Sequence, residues 1–420
     1  MSLVRPPVAF EPPVPERRST ILAPFGFRDF RLLWFGLIVS NLGTWMQFTT
    51  LGYIVANVAA NGRLASLYVG ILGASSAVPV VLLSPLAGVV ADRYPRRRVL
   101  FCTNGLQIVI ALVLALLATF HALQLWEIFV LAGLRSTTQA FDAPARQSWV
   151  PLLVPKENLG NAIGLNSIAF NAPSVIGPPI AGVLILSVGV AASFYINAVA
   201  TFAVIAALVV MKPAPPASTK RENVWASIVA GVKFLAGHPV LRAVVLLLAV
   251  VCLFVRPYSQ LLPAYAAHVV HVDARGLGVM LAASGAGAIL GSIVTAVVGS
   301  RRRGAVWFAS AVGMALGTMV LGLVHVYWVS LVVLPFIGLA ILSFTGSSNV
   351  MLQMLSPEDM RGRAISVFSM VILGLVPAGS LLLGSIGAAV GLPHAITGGG
   401  VIALAIAIWM YATNKPLREV

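Results

Sequence analysis

The sequence predicts an all-α polytopic membrane protein whose twelve transmembrane helices form two pseudo-symmetric six-helix bundles. Hydrophobic residues make up 59% of the 420 residues and charged residues only 9%, whereas soluble domains carry roughly 25% charged residues. The mean hydropathy of +0.97 agrees with this class. The apolar runs reach the length of about 20 residues that a helix needs to cross a bilayer, and they are too long for the strands of a membrane barrel.

The apolar runs divide the chain into five regions. A proline-rich segment over residues 1–26 is expected to be a disordered cytoplasmic arm. The N-terminal bundle covers 27–211, and the C-terminal bundle covers 239–413, followed by a cytoplasmic tail over 414–420. Between the bundles, 212–238 is predicted to be a cytoplasmic linker that contains an amphipathic helix. The predicted spans lie near 31–56, 67–91, 98–119, 127–147, 162–187, 191–211, 239–262, 276–299, 304–323, 327–349, 364–387 and 394–413.

A short basic turn orients these spans. The sequence GVVADRYPRRRVL, from Gly88 to Leu100, separates the second and third runs and holds four arginines. Arginine close to the end of a span resists translocation, so this turn is expected to be cytoplasmic. Nearly all of the 27 lysines and arginines then fall on one side of the membrane. We therefore predict a multi-pass protein of the cytoplasmic (inner) membrane with both termini in the cytoplasm, whose positive net charge reflects contact with a lipid bilayer and not with nucleic acid.

The two halves of the chain resemble each other. The segment PKENLGNA over 155–162 corresponds to PEDMRGRA over 357–364, at an offset of 202 residues, and the same offset pairs Gly177 with Gly379. Parallel six-helix repeats build carriers that have one site between two bundles. The repeat therefore predicts a transporter with a central binding site.

With these features the chain resembles the major facilitator superfamily, whose signature after the second span is G-x-x-x-D-[RK]-x-G-[RK]-[RK]. Gly88, Asp92, Arg93 and Arg96 match that signature, and a proline replaces its second glycine. The resemblance implies that Asp92 is a conformational latch at the start of the eleventh span, and that Arg96 reaches Asp142 at the inner end of the fourth. The alternative is a solvated acid beside arginines that only set the topology.

The fifth span resembles the exporter signature G-x-x-x-G-P-x-x-G-G of the same superfamily. Gly177, Pro178 and Gly182 match it, whereas Pro173 and Ala181 replace two of its glycines. The resemblance implies a hinge or seal between the bundles, and the alternative is an ordinary proline kink. Long stretches of the chain are similar to the exporter branch that includes siderophore and multidrug pumps.

Two arginines lie inside predicted spans and away from the cytoplasmic ends of those spans. A charge there costs at least about 2.5 kcal/mol on insertion scales, so Arg135 and Arg256 are each expected to face a cavity or a partner. The functional hypothesis is that they meet an anionic group of the substrate. The alternatives are that Arg135 binds backbone carbonyls and that Arg256 snorkels to the outer surface.

The resemblance also implies which spans line the pathway, namely the first, fourth, seventh and tenth. Their polar residues are therefore candidate substrate contacts, with interhelical packing as the alternative. These candidates are Asn41, Trp45, Tyr258, Gln260 and Asn349.

Energy coupling is the least defined feature of the sequence. No Walker-type phosphate loop is present, which excludes direct use of ATP. A proton antiporter needs a titratable carboxylate, and the candidates are Glu127 and Asp142, near opposite ends of the fourth span. No cluster of residues predicts a metal, a cofactor or a catalytic triad, so we do not expect an enzyme.

These observations predict a monomeric secondary active transporter. It is expected to export a small molecule, a siderophore or a drug-like compound, across the cytoplasmic membrane by alternating access and proton antiport. One alternative is an uptake symporter of the same fold. Another is a membrane receptor or enzyme, which would need a sensing domain or a polar catalytic cluster that the sequence lacks.

Overall fold

The structure is a computed structural model that describes residues 22–147, 149–211, 224–297 and 303–414, in which the chain forms α-helices and short 3-10 turns and no strand. Each predicted span coincides with one helix, except that the seventh is divided between two. The helices are α1 Arg28–Val58, α2 Gly62–Arg93, α3 Arg96–Thr119, α4 Leu125–Gln147, α5 Leu159–Ser187, α6 Val190–Val210, α7 Val224–Gly237, α8 Pro239–Phe254, α9 Tyr258–His268, α10 Ala274–Val297, α11 Arg303–Leu323, α12 Tyr327–Leu355, α13 Glu358–Val390 and α14 Leu392–Thr413.

Ten segments in the described part of the chain are long and apolar enough to cross a membrane. The protein is therefore a multi-pass membrane protein. Of the twelve predicted spans, α1 and α4 fall outside this set although they contain 31 and 23 residues. Both are long enough to cross, but charged and amide side chains lower their hydropathy. These two helices belong to the pathway-lining set that the resemblance implies.

The described parts of the arm and the linker are folded. Residues 1–21 and 212–223 lie outside the described residues, but Ala23–Gly26 forms a 3-10 turn whose Phe25 ring packs edge-on against Trp34, 4.9 Å between centroids. Helix α7 is the predicted amphipathic helix. Its Leu235 is buried while Val232 is exposed, and it lies against the first turns of α13.

One contact in each bundle reflects the internal repeat. Gly177 of α5 packs against Leu42 and Trp45 of α1, and its repeat partner Gly379 of α13 packs against Leu253 at the end of α8. The fifth span of each bundle therefore lies against the first span of the same bundle. The offset of 202 residues in the sequence thus corresponds to equivalent packing.

The first of two helix crossings between the bundles is the serine crossing, which joins α2 to α13. A Cβ atom on Gly384 would lie 2.5 Å from the carbonyl oxygen of Ser66, and one on Gly70 would lie 2.8 Å from that of Ser380. Because glycine has no Cβ, the two backbones can approach this closely. The Ser66 hydroxyl lies 3.2 Å from the Gly384 carbonyl oxygen and 2.7 Å from the Arg63 carbonyl oxygen of its own helix, so its one proton is shared between the two acceptors.

The second contact is the proline crossing, which joins α5 to α10. Gly182 lies against the carbonyl of Ala274, and a Cβ atom on Gly278 would lie 2.6 Å from the carbonyl oxygen of Pro178. Like the serine crossing, it pairs two residues, four positions apart, on each helix, and one residue of each pair is a glycine. Both crossings lie where α2 and α10 begin and where α5 and α13 end, which we name the closed end.

The bundles part toward the opposite end of the molecule, which we name the open end. There an apolar groove of about 730 Å³ is lined by α2 of one bundle and by α7, α8 and α13 of the other. Leu82 and Leu86 of α2 are 68% and 57% exposed, and Met370 of α13 is exposed as well. A groove between helices of the two bundles thus lies at the open end, whereas the two crossings close the other end.

A candidate substrate site between the bundles

A small cavity lies between the bundles at the inner edge of the serine crossing. Arg135 of α4, one residue before the helix midpoint, and Gln260 of α9 both line it, and its volume is about 60 Å³. The other lining residues come from α1, α2, α4 and α9, so both bundles contribute. They are Phe48, Leu51, Gly52, Val69, Leu72, Gly73, Ser76, Ala132 and Pro263.

The cavity holds a donor and an acceptor without partners. Arg135 Nε and Gln260 Oε1 are buried and have no hydrogen-bond partner among the described residues. Buried polar atoms are almost always paired, and a charged group left unpaired is costly. Gly73 allows this arrangement, because a Cβ atom there would collide with Gln260 Oε1. The site therefore offers a guanidinium and an amide to a polar group that enters it.

Arg256 lies at the break between α8 and α9. Its backbone N–H donates to the Val251 carbonyl oxygen at 2.9 Å, and Pro257 follows, which cannot continue the ladder of helical hydrogen bonds. The side chain is half-buried, and its guanidinium has no hydrogen bond or ion pair with the part of the chain that the structure describes. Arg256 is thus a second unpaired cation within a span.

Three of the candidate pathway residues use their polar groups within their own bundle. The Asn41 amide donates to the Ala169 carbonyl oxygen at 2.9 Å, and the Tyr258 hydroxyl pairs with Ser284 Oγ at 2.6 Å. Asn349 accepts from Gln353 one turn further along α12. For Asn41 and Tyr258 these contacts join two helices, as in the packing alternative, whereas the Asn349 contact lies within one helix.

Trp45 lies next to the cavity and not in its lining. Its ring packs edge-on against Phe48, with 5.5 Å between the centroids, and Phe48 forms part of the cavity wall. Trp45 therefore supports that wall from behind.

Asp142 has partners other than the one that the resemblance implied. Its carboxylate is buried, pairs with Arg146 at 3.2 Å, and accepts hydrogen bonds from Asn104 Nδ2 at 2.8 Å and Thr103 Oγ1 at 3.2 Å. These groups on α3 and α4 satisfy both of its oxygens, and Arg96 makes its contacts elsewhere. The implied Arg96–Asp142 pair is thus not formed in this conformation, although both residues belong to the N-terminal bundle.

The rest of the signature after the second span cannot be placed in the same detail. The side chains of Gly88, Asp92 and Arg93 lie outside the described residues. The latch role of Asp92 therefore stays a prediction.

Glu127 caps a helix. Its Oε2 accepts the backbone N–H of Gln124 at 2.9 Å, where α4 begins at the closed end. A carboxylate at a helix N-terminus is stabilised by the free backbone N–H groups and by the helix dipole. Both carboxylates that the sequence proposed for proton coupling are thus engaged in local hydrogen bonds, at opposite ends of α4.

The exporter signature of the fifth span contributes to the contact between the bundles. Helix α5 is continuous through its prolines. Gly177 faces α1 within the bundle, while Pro178 and Gly182 face α10 in the proline crossing. The sequence offered a hinge or seal between the bundles, or an ordinary proline kink. The close approach of α5 to α10 is the contact that a seal between the bundles would need.

Sequence reasoning missed two groups at the closed end. One is the serine crossing, whose signal was the S-x-x-x-G spacing in SLYVG, residues 66–70, and SLLLG, residues 380–384. The other is His268, whose ring Nε2 lies 2.9 Å from the Ala56 carbonyl oxygen and so joins α9 to α1 across the bundles. A histidine near the end of a span carries no distinctive sequence signal.

Comparison with known proteins agrees with this architecture. A family model for transmembrane secretion effectors matches residues 19–420. The uncharacterized MFS-type transporter YfiS of Bacillus subtilis is 29% identical over 303 residues, which cover 68% of this chain and 66% of YfiS, just under two thirds. The enterobactin exporter EntS of Citrobacter koseri is 28% identical over 304 residues, which cover 72% of this chain and 73% of EntS.

Solved structures show the same fold at low identity. A D-xylose–proton symporter superposes with a TM-score of 0.71 at 14% identity, over 94% of this chain and 99% of the symporter. At this identity the likeness concerns the fold alone. The chain belongs to the transmembrane secretion effector family, within the major facilitator superfamily of transporters.

Proposed function

We propose that this protein is a secondary active transporter that exports a small molecule across the cytoplasmic membrane by alternating access. The observation that carries the proposal is the cavity between the bundles in which Arg135 Nε and Gln260 Oε1 have no hydrogen-bond partner among the described residues. Two crossings separate this cavity from the closed end. Its family and its curated relatives are transporters and not enzymes.

Charge supports one orientation of the molecule. The open end carries the basic turn before α3 and the arginines around the start of α13, among them Arg361 and Arg363. Basic loops stay in the cytoplasm. In this orientation both termini are cytoplasmic, the conformation faces inward, and a substrate made in the cell has direct access to the space between the bundles.

The site favours an anionic or catechol-like group. A guanidinium presents a planar fork of donors that suits a pair of oxygen atoms. The enterobactin exporter relative supports a siderophore, and a drug-like compound is the second substrate class. Pockets for drug-sized ligands measure about 300–1,000 Å³, so the 60 Å³ cavity must widen as a substrate binds.

Proton antiport by a monomer is the coupling mode that we propose. The sequence has no ATP-binding loop, so an ion gradient must supply the energy. The two candidate carboxylates on α4 keep their proposed role only if their hydrogen bonds change during the cycle.

The test uses inverted membrane vesicles, in which export appears as uptake. We expect vesicles that contain the protein and are acidified inside to accumulate enterobactin, and a protonophore to abolish the accumulation. Vesicles without the protein are the control. Gradient-driven accumulation in right-side-out vesicles instead would overturn export and favour the uptake symporter. If the inverted vesicles accumulated a lipophilic dye but not enterobactin, the proposal of export would stand and the siderophore would be excluded as the substrate.

A further inference from the structure

A second and larger cavity lies at the closed end, outside the serine crossing. Its volume is about 590 Å³, and the turns between α1 and α2, α9 and α10, α11 and α12, and α13 and α14 line it. Four basic side chains face it: Arg63, His268, His271 and His325. None of the described lining residues is acidic. Because the first turn belongs to one bundle and the other three to the second, the cavity spans the junction between them.

The charged groups around this cavity leave it positive. Asp273 follows His271 but does not line the cavity, because its Oδ1 accepts the Gly276 N–H at 2.9 Å and caps α10. His394, in the first turn of α14, adds a further basic group, because its Nδ1 lies 3.4 Å from where a Cβ atom on the lining residue Gly391 would be.

We propose that the closed-end cavity binds a small polyanion with phosphate or carboxylate groups, and that such an anion favours the conformation that is shut at this end. A bound anion contacts both bundles, so it stabilises the state in which they meet. His268 belongs to the cavity and also holds α9 to the Ala56 carbonyl of α1. The proposal rests on this geometry and not on the direction of transport.

The binding test uses inorganic pyrophosphate as the probe. Calorimetric titration of the purified full-length protein in detergent at pH 6, at constant ionic strength, should give saturable binding. Arg63→Gln should weaken this binding by about tenfold, because it removes a charge-assisted hydrogen bond. Absence of saturable binding, or an unchanged affinity of the Arg63→Gln variant, would refute the site.

Two histidines provide a matched pair of variants. His271 and His121 both adopt φ 53° and both are exposed, but only His271 lines the cavity. Asparagine tolerates this left-handed backbone better than most residues. His271→Asn should weaken pyrophosphate binding at pH 6 by about tenfold, whereas His121→Asn should leave it unchanged. Equal weakening in both variants would show that they act through the overall charge of the closed end, which would contradict binding in the cavity.

The conformational part of the proposal has its own readout. A Cβ atom on Gly387 would lie 3.2 Å from the Ser66 Cβ, so the pair Ser66→Cys/Gly387→Cys forms a disulfide only when the closed end is shut. Pyrophosphate should increase the rate of its oxidation at pH 6, and Arg63→Gln should remove that increase. An unchanged rate at a saturating pyrophosphate concentration would show that the anion binds without favouring closure.

Discussion

The serine crossing and the proline crossing seal the same end of the molecule with the same backbone geometry and different side chains. In each, two glycines lie against carbonyl groups of the opposite bundle. The serine crossing adds a hydrogen bond from the Ser66 hydroxyl to the Gly384 carbonyl oxygen. In the proline crossing the residue that lies against Gly278 is Pro178, which has no donor.

This difference separates what the seal requires from what it adds. Close approach of the backbones is common to both crossings, so small residues at a spacing of four are the shared requirement. The hydroxyl hydrogen bond is found in one crossing and is worth about 1 kcal/mol. We therefore expect substitutions that block the approach to have larger effects than those that remove the hydroxyl.

Fixing the serine crossing shut should have the largest effect. In a background with Cys102 and Cys252 replaced by alanine, the oxidised Ser66→Cys/Gly387→Cys pair should abolish transport, because alternating access requires the closed end to open. A reducing agent should restore it. Each single cysteine variant is the control, and transport by the oxidised double variant would contradict alternating access at this crossing.

Removing the Arg135 guanidinium, next to the serine crossing, should have the second-largest effect. Arg135→Ala loses a charge-assisted hydrogen bond to the substrate, so its KM should rise by about 10- to 150-fold. Arg135→Lys keeps the charge but loses the planar fork of donors, so its KM should lie between those of the unmodified protein and Arg135→Ala. Transport kinetics on variants that elute as folded protein in size exclusion are the measurement, and an unchanged KM in Arg135→Ala would remove this residue from the site.

Blocking either crossing with a large side chain should open the closed end. Gly384→Leu and Gly182→Leu both place atoms where carbonyl groups now lie, at a cost of about 1–3 kcal/mol, which shifts the closed-to-open equilibrium by about 5- to 150-fold. Labelling of Ser76→Cys, in the cavity lining, by an impermeant maleimide from the closed end measures the shift.

Gly164→Leu is the matched control for these variants, because a Cβ atom at this position of α5 would have no atom within 4 Å. The two test variants should have similar effects if backbone approach is the common requirement. A large effect of only one of them would show that the crossings are not equivalent.

Removing the hydroxyl should have the smallest effect. Ser66→Ala keeps the close approach and removes a proton that Gly384 shares with the Arg63 carbonyl oxygen, so it should favour the open state by no more than about fivefold. The same maleimide assay detects this shift. If Ser66→Ala matched Gly384→Leu, hydrogen bonding and not packing would hold the serine crossing.

The positions of the spans could be predicted because the required apolar length is a local property of the sequence. The apolar run over 239–262 predicts one helix, whereas the structure has a break within this seventh span. Its signal was Pro257, because a proline disfavours helical backbone in the residue before it. The helix resumes at Tyr258 and continues to His268.

The candidate site could be predicted only in part. The cost of burying a charge points to Arg135 without the resemblance, whereas its neighbour Gln260 in the cavity came from the resemblance. The partner of Asp142 was readable as an i, i+4 pair with Arg146 on one helix, but the resemblance favoured Arg96. Which small residues meet across the bundles depends on tertiary packing, so the S-x-x-x-G spacing alone could not pair α2 with α13.

The division of the seventh span leaves α9 as a rod of 11 residues, about 16 Å long. Gln260 near one end lines the cavity that also contains Arg135. His268 at the other end lines the closed-end cavity and contacts the Ala56 carbonyl of α1. The chain between Phe254 and Tyr258 is not helical, so a tilt of α9 about that joint would leave α8 in place. His268 lies farther from the joint than Gln260, so a tilt that widened the cavity around Gln260 would displace His268 by a larger distance and would connect occupancy of that cavity to opening of the closed end.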